Sequence, residues 1–98
     1  MNIEQNKNGN ALVLALEGRL DTMTAPQLEA ALKEALPGTT ALTFDLEKLE
    51  YISSAGLRVL LSAQKTMNQQ GTMKVIRANE MILEIFEVTG FCDILTIE

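Results

Sequence analysis

Apolar and polar residues recur along this chain with periods that mark strands and helices in turn. A polar N-terminal stretch is followed by the turn signal Asn8-Gly9-Asn10 and the apolar run Ala11–Leu16. Together they predict a hairpin whose first strand is a weak edge strand. Because both alternating sets of the run are apolar, we expect its strand to be central and covered on both faces.

A first helix is predicted downstream of the segment Gly18-Arg19-Leu20-Asp21. Thr24 is its expected cap, Gln27 completes a capping box, and Pro37-Gly38 ends it. The residues at helical spacing that form its apolar stripe are Leu28, Ala31, Leu32, Ala35 and Leu36.

A third strand and a second helix follow in the same manner. Ala41–Leu46 predicts the strand, residues 47–51 a short loop, and Ala55–Gln70 the helix. Gly71 is expected to close this helix in the left-handed conformation.

The last part of the pattern completes the fold. Met73–Arg77 predicts a fourth strand, Asn79 caps a third helix that Gly90 stops, and residues 94–97 predict a final strand. The order is β-β-α-β-α-β-α-β, and strands joined through helices pair in parallel by right-handed crossovers. We therefore expect an α/β fold in which residues 1–98 form one domain. Its mixed, mostly parallel sheet begins with an antiparallel hairpin and carries helices packed on it.

Composition narrows the chemistry that these 98 residues can carry out. The chain has no histidine, which excludes a Ser-His-Asp or Cys-His relay and imidazole ligation of a metal. Cys92 is the only cysteine, which excludes an internal disulfide and a paired-cysteine motif and favours the cytosol. We expect Cys92 to be a half-buried apolar residue.

The charges argue against a nucleic-acid partner, and the apolar runs argue against insertion into a membrane. Eight Lys and Arg residues are scattered singly along a chain of net charge −5, whereas a nucleic-acid footprint needs clustered positive charge. The run Ala11–Leu16 is far shorter than the ~20 residues of a membrane helix. We expect a soluble, cytoplasmic protein, and the pattern calls for no cofactor.

Two serines, Ser53 and Ser54, directly precede the second helix. The first N–H groups of a helix lack intrahelical partners and its macrodipole is positive there, which favours a side-chain oxygen or a phosphate. From the residues alone, a hydroxyl here is a cap, a nucleophile or a phosphoacceptor. Ser54 has no plausible base, and no Gly-rich loop with lysine occurs, so nucleotide hydrolysis is the weakest of these hypotheses.

Four blocks of sequence occur in order along nearly the whole chain. They are Gly18-Arg19-Leu20-Asp21, Phe44-Asp45-Leu46, Tyr51-Ile52-Ser53-Ser54-Ala55-Gly56-Leu57 and Thr89-Gly90-Phe91-Cys92-Asp93-Ile94. As an ordered set, these blocks resemble the STAS domains and, within them, the bacterial anti-sigma factor antagonists.

The resemblance implies that Ser54 is phosphorylated by a partner serine kinase that is also an anti-sigma factor. The unphosphorylated form binds the kinase and frees a sigma factor, and a phosphatase resets the phosphorylated form. The residue before the phosphoserine is usually aspartate in this family, whereas here it is Ser53. That departure alters kinase recognition or marks a member that is never phosphorylated. Ser53 is the second choice for the phosphosite.

The resemblance also implies a partner-binding surface around the two serines. It implies no catalytic residue and no metal. Structural interpretations remain open beside it: tight packing at Gly56 and a turn at Asp21. Asp45 lies inside a strand and needs a hydrogen-bond donor. We expect this donor to be a backbone N–H of the serine segment, Ser53-Ser54. A metal site built from Asp21 and Asp45 has too few ligands to be favoured. The predicted partner-binding residues are Asp21, Ser53, Ser54, Ala55, Gly56, Leu57 and Arg58.

Two hypotheses for function remain. The favoured one is an anti-sigma factor antagonist, a binding module rather than an enzyme, controlled by phosphorylation of Ser54. The alternative is a constitutive STAS subunit of a membrane lipid-transport ABC complex, in which the serines pack on the ATPase and are never modified. The departure at Ser53 slightly favours the alternative.

Overall fold

The computed structural model describes residues 1–98 and confirms the predicted order of elements up to the third helix. The predicted strand at 94–97 is wrong, because only a single parallel bridge joins Ile97 to Val75 there. The elements are β1 (Asn2–Asn8), β2 (Ala11–Leu20), α1 (Ala25–Ala35), β3 (Ala41–Ile52), α2 (Ser54–Gln70), β4 (Thr72–Ile76) and α3 (Glu80–Val88), followed by a 3-10 turn (Phe91–Asp93).

The sheet has the order β1-β2-β3-β4. As predicted, β1 is an edge strand that pairs with β2 in an antiparallel hairpin, while β2, β3 and β4 are parallel. Parallel strands need crossover connections, and α1 and α2 supply them. The carboxyl ends of β2 and β3 therefore lie side by side, at Leu20 and Ile52.

One face of the sheet is covered and the other is open. In β2, Leu12, Leu14 and Leu16 are at most 1% exposed and belong to the same core cluster as residues of all three helices. The intervening Val13 and Ala15 are only partly buried. The prediction that β2 is covered on both faces is therefore wrong, since its second apolar set lies on the open face.

Strand β3 is longer than its apolar pattern predicts. Residues 47–51, expected as a loop, continue the strand and pair with β2 through two irregularities in register. These irregularities break the alternation of buried and exposed positions, which explains why the segment resembled a loop. The far part of β3 extends beyond its pairing with β4, and there the Asn79 side chain donates a hydrogen bond to the Leu49 carbonyl (3.1 Å).

The two predicted helix caps differ in outcome. Asn79 caps α3 as predicted, with its Oδ1 accepting from the Ile82 N–H (2.9 Å). The capping box of α1 is wrong: the Thr24 hydroxyl makes no cap bond. It accepts instead from the Asp21 N–H and donates to the Arg19 carbonyl, at 2.8 Å each.

Gly71 forms the whole connection between α2 and β4, and its predicted left-handed conformation is wrong. Its φ is 171°, which is extended backbone. The reason for glycine is space, because a Cβ atom at this position would lie 1.9 Å from the Thr40 carbonyl oxygen. That oxygen also accepts from the Thr72 N–H (2.9 Å), so it is fixed in the structure.

The prediction that Cys92 is half-buried is also wrong. The thiol is exposed in the 3-10 turn, while Phe91 beside it is partly buried and packs on the core. Among the helices, none is both long enough and apolar enough to cross a bilayer.

Candidate functional site

The serine segment lies where β2 and β3 end together. The Ser53 N–H donates to the Leu20 carbonyl (2.9 Å), which joins the start of α2 to the end of β2. The adjacent turn between β2 and α1 begins at Asp21, so the fold brings two of the predicted blocks to one edge of the molecule. The sequence blocks alone do not fix this adjacency, which depends on the parallel pairing of the strands.

The two serines have different roles in the structure. Ser53 is the N-cap of α2, and its Oγ accepts from the Gly56 N–H at 3.4 Å. Ser54 is the first residue of the helix, is exposed, and makes no side-chain hydrogen bond within the protein. The hydroxyl that is free to react or to meet a partner is therefore that of Ser54.

Exposure divides the predicted partner-binding residues into three groups. Gly56 and Leu57 are buried, so they support the site from beneath. Asp21, Ser53 and Ala55 are partly buried, while Ser54 and Arg58 are exposed.

Gly56 is required by packing within the chain. A Cβ atom there would lie 2.7 Å from the Leu20 Cγ and 2.9 Å from the Ile52 Cγ1. The structure thus supports tight packing of α2 on the ends of β2 and β3, which sets the position of the serines.

We expect Gly56→Ala to lower the free energy of unfolding by about 1 kcal/mol. The added methyl group overpacks the contact with Leu20, and the better helix propensity of alanine offsets part of that cost. Chemical denaturation measures the change. Ala55→Gly, one position earlier and partly exposed, removes a methyl group instead and serves as the control for helix propensity. A stabilised Gly56→Ala protein would contradict the packing assignment.

Asp21 organises the turn that flanks the serines. Its Oδ1 accepts from the N–H groups of Met23 (2.9 Å) and Thr24 (3.2 Å). Partial desolvation raises the pKa of Asp21, but hydrogen bonds from the N–H groups of Met23 and Thr24, with the nearby Arg19, outweigh it and hold the pKa below its usual range. The carboxylate is thus a fixed negative charge, and its role as a turn residue is supported.

Two features at this edge of the molecule do not follow from the sequence pattern. Met23 is 86% exposed, unusual for a large apolar side chain, and lies two residues after Asp21. The guanidinium of Arg19 stacks over the Tyr51 ring, 4.4 Å from its centroid. A methionine amid polar turn residues was the available signal for the first, whereas the second depends on the register of β2 and β3.

The hydrogen-bond donors to the Asp45 carboxylate come from a different part of the chain than expected. The expected donor was an N–H of the serine segment, but the carboxylate is held by the Arg77 guanidinium through Nε (3.2 Å) and a second nitrogen, and by the Glu47 N–H (3.1 Å). Asp45 and Asp21 have separate sets of donors. No signal in the sequence links Asp45 to Arg77, which lies 32 residues away and has a positive φ of 59°.

The ion pair of Asp45 predicts a loss of stability in acid. The hydrogen bond from Arg77 is the main cause that holds the pKa of Asp45 below its usual range. Because the unfolded chain binds this proton more readily, the contribution is present above about pH 4 and is lost as the pH falls through the folded pKa. We expect urea midpoints between pH 5 and pH 2.5 to fall less steeply for Asp45→Asn than for the unaltered protein. The exposed Asp93→Asn is the matched control, and parallel profiles for all three proteins would contradict the prediction.

The sequence and the fold of this chain are similar to those of known proteins. A family described as "Mlab, STAS domain" matches residues 3–96. The protein named "Putative anti-sigma factor antagonist BtrV" of Bordetella bronchiseptica is 35% identical, over 99% of this chain and 85% of the relative. The anti-sigma-B factor antagonist of Bacillus subtilis is 28% identical, over 99% and 90%. The crystal structure of an anti-sigma factor antagonist from Mycobacterium paratuberculosis has a TM-score of 0.89 at 22% identity, covering 98% of this chain and 83% of that one.

Proposed function

This chain belongs to the STAS domain family, and we propose that it acts there as an anti-sigma factor antagonist whose binding is controlled by phosphorylation of Ser54. It is a regulatory binding protein in this proposal, not an enzyme. Its unphosphorylated form binds an anti-sigma factor that is also a serine kinase, and a phosphatase restores that form.

The observation that carries the proposal is the state of the Ser54 hydroxyl. It is exposed at the first position of α2 and is not used by the fold, because Ser53 already caps the helix. A kinase can reach such a hydroxyl without unfolding the site. Ser53, the second choice for the phosphosite, is partly buried and engaged with Gly56, which supports Ser54 over it.

A phosphate at Ser54 changes the surface that a partner meets. It adds a charge of about −1.5 to −2 at pH 7, next to the turn that carries the Asp21 carboxylate. A partner that packs against the neutral hydroxyl would have to desolvate the phosphate in order to bind. Where the partner presents a negative charge, the repulsion between like charges costs several kcal/mol. The free domain tolerates the phosphate because the N-terminus of a helix favours negative charge.

The interface in this proposal combines an apolar and a charged side chain. Met23 offers an exposed apolar side chain, and Arg58 offers a cation that makes no ion pair within the chain. Buried apolar anchors and arginine contribute strongly to protein interfaces. A partner that fits would present an apolar pocket to Met23 and an acidic group to Arg58.

The alternative of a constitutive subunit in a lipid-transport complex receives no specific support from the relatives named above. Ser53 replaces the aspartate that the family usually has, but it performs a structural task as the cap of α2. The departure at this position thus has a structural explanation that does not require an unmodified protein.

Intact-mass spectrometry of the protein purified from its native host tests the proposal, with peptide mapping across residues 51–58. We expect one added phosphate on Ser54 under some growth or stress conditions, and its loss in Ser54→Ala. Capture of partners with Ser54→Ala should retrieve a serine kinase. An unmodified peptide under all conditions, with an ATPase and permease captured instead, would favour the alternative.

A further inference from the structure

Arg58 lies one helical turn after Ser54. The two residues are four apart in α2, and both are exposed. Residues at this spacing are neighbours on the helix surface, with Cβ atoms about 6 Å apart. Long side chains in a helix lean towards its N-terminus, so Arg58 can extend its guanidinium towards Ser54.

Arg58 is the available cation at this edge of the molecule. It makes no hydrogen bond or ion pair within the chain. Arg19, the other nearby cation, is already engaged with the Tyr51 ring and lies 3.8 Å from an oxygen of Asp21. A guanidinium without a partner, one turn from an exposed hydroxyl, is positioned to bind whatever anion that hydroxyl acquires.

We propose that Arg58 is a positioning residue for the phosphorylated form, binding the phosphate oxygens of Ser54 across one turn of α2. This inference rests on the proposed function, since it concerns the same serine. Arginine suits the task because its planar donors form paired hydrogen bonds with phosphate oxygens. The pair holds the phosphate against the helix in one orientation, and it also withdraws Arg58 from any acidic group of a partner.

The surrounding charges make the contribution of Arg58 measurable. Asp21, in the turn adjacent to the serines, carries a negative charge. Glu29 of α1 lines the same shallow surface as Arg58 without forming an ion pair with it. Negative charge in this region disfavours the phosphate dianion, whereas Arg58 favours it, so removing Arg58 should raise the second pKa of the phosphate.

Direct incorporation of phosphoserine at position 54 during translation permits a test that needs no kinase. The second pKa of the phosphate, near 6 in an unperturbed phosphoserine, is followed by ³¹P NMR as a function of pH at low salt. We expect this pKa to be about 0.5 unit higher in Arg58→Gln than in the otherwise unaltered phosphoprotein. A shift of this size means that Arg58 favours the dianion over the monoanion by roughly threefold.

The matched control is Lys65→Gln, which removes the same charge from an exposed position of α2. Lys65 lies eleven residues from Ser54, about 16 Å along the helix axis. We expect this variant to leave the phosphate pKa unchanged. Equal pKa values with and without Arg58, or an equal shift in Lys65→Gln, would overturn the assignment. Because the phosphate is installed synthetically, such a result leaves the mass-spectrometric test of the proposed function unaffected.

Discussion

Gly71→Ala is expected to lower the free energy of unfolding by about 3 kcal/mol, the largest loss of stability for a single methyl group in this chain. The added Cβ would lie 1.9 Å from the Thr40 carbonyl oxygen and 2.6 Å from its carbon. Both atoms belong to backbone, so no side-chain rotation can relieve the contact. Relief requires the end of α2 to move, and the hydrogen bond from the Thr72 N–H to the same oxygen weakens as it does.

Gly90→Ala is the control for this measurement. Gly90 has a φ of 80° and open space around its Cβ position, so its replacement costs only the backbone penalty of about 1–2 kcal/mol. Urea unfolding of both variants separates the two causes. A Gly71→Ala protein no less stable than Gly90→Ala would mean that the close approach to Thr40 does not exist.

Ser54→Asp is expected to weaken binding of the anti-sigma factor about 100-fold, or about 2.7 kcal/mol. The carboxylate places a permanent negative charge where the proposed interface has a neutral hydroxyl. The fold should be retained, because an acidic residue is favourable in the first turn of a helix. Titration calorimetry with the anti-sigma factor captured by Ser54→Ala measures the effect.

Two controls accompany the Ser54→Asp measurement. Ser54→Ala should bind within about threefold of the unaltered protein, because the hydroxyl makes no hydrogen bond inside the chain. Ser62→Asp adds the same charge at another exposed position of α2, two turns further on, and should also bind normally. If Ser62→Asp weakens binding as much as Ser54→Asp, the effect is one of net charge and the site has been misplaced.

The helices and strands were predictable where their periodicity is local. The spacing of Leu28 and Leu32 predicts α1, and Asn79 marks the start of α3 where the structure has it. The apolar pattern does not distinguish a strand covered on both faces from one with small apolar residues on an open face. Val13 and Ala15 of β2 are the second case.

Two of the wrong predictions depend on contacts between residues distant in the sequence. The sequence predicts a conformational role for Gly71, because glycine often ends helices in the left-handed region, but the position requires glycine because of its close approach to Thr40 on another connection. The donor to Asp45 is Arg77, on the segment after β4. Neither pair follows from a local pattern, because both depend on the order and register of the strands in the sheet.

The sequence predicts the position of the serines in the candidate site but not the residues around them. The sequence blocks placed Ser53 and Ser54 at the start of α2, and the structure adds which of them is free. Met23 was missed because an exposed methionine in a turn has no periodicity to mark it. That Ser54 is the phosphosite stays a prediction until the modified peptide is mapped.

Helix α2 is held at both of its ends, and this limits how a signal at Ser54 can spread. Its first turn packs through Gly56 on two strands, and its last residue is joined to β4 by Gly71 alone. Both connections are too short for a rigid-body slide of α2 or a change in its register, which are movements that other conformational switches use. We therefore expect the two forms of the domain to superpose closely, with no allosteric change in shape. The information would lie entirely in the charge that an incoming protein encounters.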